Sequence, residues 1–172
     1  METASMPTRK PINRGFTLIE MMVTLTVLVI LSMIAVPSFR NASLSSQLRS
    51  SANDFMASAN FARSEAIKRN TPVTMCVSTD GSTCAAGGWE QGWIVSSGTT
   101  VLQHESAAPN GFKISAAGNL ATLSFQPIGV GATPATLTVC RATPTAGSQE
   151  RVVTLDATGR AWLRITTTGV CS

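Results

Sequence analysis

The sequence predicts an α+β chain, in which a long N-terminal α-helix, partly transmembrane, packs on an antiparallel β-sheet or small sandwich. Three observations carry that expectation. Met21 to Phe39 is a run of 19 residues without a charge, long enough for a helix to cross a bilayer. Apolar residues then recur at Leu44, Leu48, Phe55, Ala59, Ala62 and Ala66, close to the helical period. Beyond Pro72 the pattern becomes short β-branched runs broken by Gly, Pro, Ser and Asn, which is strand and turn material.

A chain of 172 residues with 44% apolar and 13% charged residues is too apolar for disorder and too poor in charge for a solvated coiled coil. Its net charge of +4 is unevenly placed. Arg9, Lys10 and Arg14 against Glu2 put +2 into the first 15 residues, leaving +2 for the rest. That remainder is only mildly basic and does not by itself argue for nucleic acid.

The apolar helix follows the three cations, so its N-terminal side should stay in the cytoplasm and the C-terminal part should be exported. A conventional secretory signal has a shorter apolar core and small residues before its cut. Here the run is long, and Met33 sits three places before the one plausible site. Glu20 is the sole ionisable residue between Phe16 and Phe39. A carboxylate at a helix centre in lipid costs roughly 2.5–3.5 kcal/mol. A position near the helix start offsets part of that through the backbone dipole. Past the membrane run the apolar stripe is interleaved with Ser, Gln, Asn and Arg, so it should pack on the globular part. Pro37 should kink or locally unbond this helix, and Asn70 with Pro72 should end it.

The expected strands are Val73–Val77, Gly92–Ser96, Val101–Glu105, Phe112–Ser115, Thr122–Gln126, Ala135–Cys140, Arg151–Leu155 and Arg160–Thr166. The four cysteines, Cys76, Cys84, Cys140 and Cys171, point to two disulfides in an exported chain. Three connectivities are open; proximity favours Cys76–Cys84 with Cys140–Cys171. Free thiols and a metal site are the alternatives, and the absence of a C-x-x-C pair argues against metal.

Arg14-Gly15-Phe16-Thr17-Leu18-Ile19-Glu20 resembles the leader motif of type IV pilins and type II secretion pseudopilins. Further on, Ala62-Arg63-Ser64-Glu65-Ala66-Ile67, Cys76, Asp80-Gly81, Cys84, Trp89, Gly92-Trp93-Ile94-Val95, Leu123-Ser124-Phe125-Gln126-Pro127 and Thr158-Gly159-Arg160 resemble the GspH/FimT/FimU group. The resemblance implies a pilin-like fold and a minor pilin or H-type pseudopilin. It implies cleavage by a prepilin peptidase between Gly15 and Phe16, N-methylation of Phe16, and pairing of Glu20 with the N-terminal amine of a neighbouring subunit. Partners would be other minor and major pilins or pseudopilins and the inner-membrane assembly platform. The organisation expected is a leader over 1–15, a transmembrane or filament-core helix over 16–39, its amphipathic continuation over 40–71, and an exported β-rich domain over 72–172. The chain would sit in the bacterial inner membrane with its C-terminal domain in the periplasm, then enter a pilus or pseudopilus, at or near its tip.

No catalytic constellation, cofactor motif or metal-ligand cluster stands out. His104 is the single histidine, has no nucleophile motif beside it and reads as a strand residue; Trp89 and Trp93 read as core aromatics. The last strand offers an alternative function. Alternation puts Arg160, Trp162 and Arg164 on one face and Ala161, Leu163 and Ile165 on the other, the second set reading as core. Two cations flanking an aromatic can contact phosphate and stack a base, and Arg141 and Arg151 could extend the patch. DNA-binding FimT proteins resemble this with a Gly-Arg-x-Arg motif; here Gly159-Arg160 matches, but the next arginine is Arg164. The alternative is therefore a pilus-borne DNA receptor for uptake.

Overall fold

The computed structural model describes residues 15–143, 149–168 and 171. Arg9, Lys10 and Arg14 of the expected leader lie outside the described residues. The chain divides into two compact units, Met1–Ala42 and Ser43–Ser172. The helix α1 (Leu18–Arg69) is continuous through Pro37. Proline has no N–H to donate, so one rung of the ladder is missing there.

Within the first unit every described side chain is exposed, including Leu18, Ile19, Met21, Met22, Val23, Leu25, Val27, Leu28, Val29, Ile30 and Leu31. The helix is long and apolar enough to cross a membrane. Its three mid-span hydroxyls do not interrupt that surface. Thr24, Thr26 and Ser32 each donate to a carbonyl one turn back, at 2.9, 2.8 and 2.8 Å, which satisfies them without water.

In the second unit the helix presents Leu44, Leu48, Ala52, Phe55, Ala59, Ala62 and Ala66 to one core. The three last alanines are fully buried in that core. The helix ends at Arg69 in a Schellman arrangement. Asn70 takes φ +52°, its N–H donates to Ile67 O, and Thr71 N–H donates to Ala66 O. Asparagine is among the few residues that tolerate this left-handed conformation.

The strands are β1 (Val73–Val77), β2 (Trp93–Ser97), β3 (Thr100–Glu105), β4 (Phe112–Ala116), β5 (Thr122–Phe125), β6 (Ala135–Arg141), β7 (Glu150–Leu155) and β8 (Ala161–Thr166). They form two four-stranded antiparallel sheets, ordered β3-β2-β1-β5 and β4-β6-β7-β8. In the first, Val73, Met75 and Val77 face inward with Val95, Leu123 and Phe125; in the second, Ile114, Leu137, Val139, Val153 and Leu155 do so. Phe55 joins helix to sheet through edge-on contacts with Trp89 and Trp93, at ring separations of 5.2 and 5.6 Å. Trp89 Nε1 donates to Leu120 O at 2.7 Å, which satisfies the indole's polar end in the core.

Disulfides join Cys76 to Cys84 and Cys140 to Cys171. The first closes a loop built on Asp80. The Asp80 carboxylate accepts from the Ser82 and Thr83 N–H groups at 2.9 and 2.8 Å, and those bonds hold it well below the usual carboxylate range.

One inward position differs from expectation. Ile165 is 71% exposed rather than buried. It does share the face of Arg151, its cross-strand partner, but β8 is the edge strand of its sheet, so that end of the strand runs past the core.

Candidate functional site

At the helix start, Thr17 and Glu20 bond reciprocally. The Glu20 N–H donates to Thr17 Oγ1 at 3.3 Å, and the Thr17 N–H donates to a Glu20 carboxylate oxygen at 3.5 Å. This is a capping box. The T-x-x-E signature lies inside the leader motif, from Thr17 to Glu20, and gives Glu20 a second task that the reading of the motif above does not include. A lone carboxylate near an apolar helix end is held by the helix's own first turn. The bond is long and the residue is exposed, so the carboxylate keeps capacity for a stronger, cationic donor. Gly15 has open space around it, with no atom within 4 Å of where a Cβ would sit, and Phe16 is 78% exposed.

Glu65 was not singled out by sequence reasoning for any role of its own. It is buried to 6% exposure and bonds Lys68 Nζ and Arg69 Nε, both at 2.7 Å. These bonds lower its pKa. Two positions back in the same stretch, Arg63 Nε and Nη2 donate to Gly129 O at 3.2 and 3.1 Å. Its side chain also fills the space beside Gly159, where an added Cβ would lie 2.8 Å from Arg63 Cδ. Gly159 itself has φ +73°. Thus Arg63, Gly129 and Gly159, far apart in the chain, meet near the C-terminal end of α1.

The C-terminal strand keeps part of its expected face. Trp162 is 44% exposed, and Arg160 and Arg164 are exposed. Arg160 stands in the turn before β8, where Asp156 accepts from its N–H and from Thr158. Arg151 does not extend this face. It is buried, shares the inward face of Val139 and Val153, and donates to Ser45 Oγ at 2.7 Å. Arg141 shares that inward alternation, so it too lies off the Trp162 face. His104 is an exposed β3 residue with its ring against Gly81. A cleft of about 410 Å³ beside Trp89, Glu90, Lys113 and Asn119 contains no histidine or cysteine. Among the described residues no group of three or more His, Cys, Asp or Glu could hold a metal.

A capped apolar helix that continues into the core of a two-sheet, disulfide-bonded unit defines a pilin-like fold. A minor pilin of solved structure shares this fold. The type IV minor pilin FimU of Pseudomonas aeruginosa (strain PAO1) is similar in one crystal form with a TM-score of 0.56 and 19% identity, over 69% of this chain and 89% of that chain. In a second form the TM-score is 0.53 with 21% identity, over 68% and 92%. The minor pseudopilin EpsH of the Vibrio cholerae type 2 secretion system gives 0.48 and 16%, over 72% and 98%. No curated protein matches the chain. The model of the type II transport protein GspH family matches residues 51–159, and that of the prokaryotic N-terminal methylation motif matches residues 10–36. The chain belongs to the GspH family of minor pilins and pseudopilins.

Proposed function

We propose that this chain is cut between Gly15 and Phe16 by a prepilin peptidase, methylated at Phe16 and built into a type IV pilus or type II secretion pseudopilus, where it takes part in priming assembly with other pilin-type subunits. The observation that carries the reading is the methylation motif at residues 10–36, which overlaps the capped start of α1, where Glu20 is the one charge between Phe16 and Phe39. In this reading the cut frees a new amine at Phe16. Within a filament core that cation and the Glu20 carboxylate of a neighbour neutralise each other, since either alone in an apolar interior is costly. Membrane insertion and export of the unit beginning at Ser43 follow from the same helix. Mass spectrometry of the membrane-extracted protein tests it. The expected chain is residues 16–172 carrying one methyl group; an N-terminus near Val36 would contradict the reading.

A second reading, a DNA receptor, is favoured by the exposed Trp162 flanked by Arg160 and Arg164. With two or three cations, binding would be micromolar or weaker and would fall with salt as counterions are released. Filament avidity would strengthen it. Loss of Arg141 and Arg151 from that face and the Asp156 carboxylate beside Arg160 make this the weaker reading. An anisotropy titration with duplex DNA, comparing wild type with Arg160→Gln/Arg164→Gln, separates the two.

A further inference from the structure

Five large apolar side chains are exposed in the described part of the second unit: Ile67, Ile128, Val130, Trp162 and Ile165. Three of them lie at or beside Gly129. Ile67 is 48% exposed on the last turn of α1 and lies against Gly129, where an added Cβ would be 3.3 Å from its Cδ1. Ile128 and Val130, either side of Gly129, are 76% and 48% exposed. Scattered exposed aliphatics are ordinary, but this loop is held in place. Arg63 binds Gly129 O from the helix side. The Gly131 and Ala132 N–H groups donate to Ala157 O at 2.7 and 3.0 Å, and the Gly129 N–H donates to Gln126 O. A fixed backbone therefore displays two β-branched side chains in conformations whose ordering cost is already met, the condition for an efficient docking anchor.

The neighbouring charges are mostly cationic. Lys68 and Arg69 follow Ile67 directly in the chain, Arg63 holds Gly129 O, and Arg160 follows Gly159, which packs on Arg63; the carboxylates beside them are Glu65 and Asp156. Glu65 is already shared by Lys68 and Arg69, and Asp156 by its own turn. A second copy placed face to face would set like charges against each other, which is unfavourable. Nor does another face of this chain complement it. Of the acids in the described second unit, Asp54 and Glu105 have carboxylates with no hydrogen bond or ion pair to a described residue. Glu105 pairs across strands with buried Trp93, and Asp54 lies about 20 Å down the helix from Ile67 at 1.5 Å per residue. Neither offers a large exposed apolar group.

We propose that the Ile67–Ile128–Val130 surface is the docking site for the globular domain of a different pilin-type subunit, one presenting an apolar centre within an acidic rim. This rests on the filament-subunit reading and adds where the partner binds and what chemistry it brings. The apolar trio supplies affinity and the Arg/Lys rim selects the partner.

The test uses the full chain in its native cell, with photoreactive benzoylphenylalanine at position 128 and, as a control, at exposed Thr99 in the β2–β3 turn. Cleavage at Gly15 and recovery in sheared filaments are scored in the same cells. The expected result is an adduct from position 128 but not from 99, to a different chain that carries its own N-terminal methylation motif, attached within an acidic segment. Lys68→Glu with Arg160→Glu should reduce that adduct about fivefold, the scale of two exposed charge contacts, while the chain is still cut and recovered. An adduct to a second copy or to phospholipid overturns the proposal. So does an absent adduct in chains that are cut and assembled, or an adduct insensitive to the charge reversals. A chain neither cut nor assembled removes the filament reading itself and this inference with it.

Discussion

Single residues in this protein divide into those that serve the fold and those held ready for a partner, and Glu20 does both. Glu20→Ala should still insert in the membrane, since a charge is removed from an apolar segment, but should assemble poorly because a neighbour's amine loses its counter-charge. Normal recovery of the variant in sheared filaments would contradict the pairing role. Thr17→Ala separates the two tasks: it removes the capping hydroxyl, at a cost of about 1 kcal/mol, yet leaves the carboxylate, so assembly should largely persist. Asp80 is a purely structural case. Its pKa is lowered by the Thr83 and Ser82 N–H groups, so the stability it contributes is complete above the ordinary aspartate value and is lost as pH falls through the lower folded value. A carboxyl titration followed by NMR should place its midpoint below the usual aspartate range; a midpoint at the ordinary value would show that the loop bonds do not form. Gly159 carries a different constraint. Gly159→Ala strains a left-handed residue by about 1–2 kcal/mol and pushes into Arg63 Cδ.

At the scale of elements, α1 is a single helix with two environments. Its first half is mostly apolar and exposed in the isolated chain, while from Leu44 onward one stripe is buried and the remaining positions are mainly polar, with Ile67 an exposed exception. The junction of helix and sheets is concentrated at Phe55 against Trp89 and Trp93. Phe55→Ala should therefore destabilise the unit beginning at Ser43 by about 3–5 kcal/mol, the usual cost of emptying an aromatic site in a core. Urea unfolding followed by tryptophan fluorescence reads this, because two of the three tryptophans, Trp89 and Trp93, touch Phe55. A cost under about 1 kcal/mol would mean that the helix is not held at this point. The strands were legible to within a residue or two because β-branched runs and turn residues alternate cleanly. Their grouping was not. Nothing local in Ala135–Arg141 dictates pairing with both β4 and β7 rather than with β5, its predecessor in the chain.

For the molecule as a whole, the two disulfides compensate for a core shared by one helix and two small sheets. They span sequence separations of 8 and 31 and should each add roughly 2–4 kcal/mol by restricting the unfolded chain. Non-reducing peptide mapping of the exported protein should recover Cys76 with Cys84 and Cys140 with Cys171, and free thiols would refute both bridges. The second bridge anchors the C-terminal segment beside Glu150, which is fully buried and accepts from the Thr166 and Thr168 hydroxyls at 2.8 and 2.7 Å. Reduction should release this segment before the rest of the unit unfolds.

The sequence alone determined the membrane-length helix, the place of Glu20 within it, the apolar stripe beyond it and the positions of all eight strands, because each is written in periodicities of 3.6 or 2 that need only near neighbours. It also carried the leader motif, whose residues are contiguous. Only the tertiary structure decided which faces survive as surface. Alternation within β8 could not show that Ile165 would overrun the core at a sheet edge, nor could alternation within β7 show that Ser45 would be the partner of the inward Arg151. It could not bring Arg63, Gly129 and Gly159 together across nearly a hundred residues. Those outcomes depend on the order of strands in each sheet and on how far each strand extends past the helix. They are properties of packing between distant segments, on which the local pattern is silent.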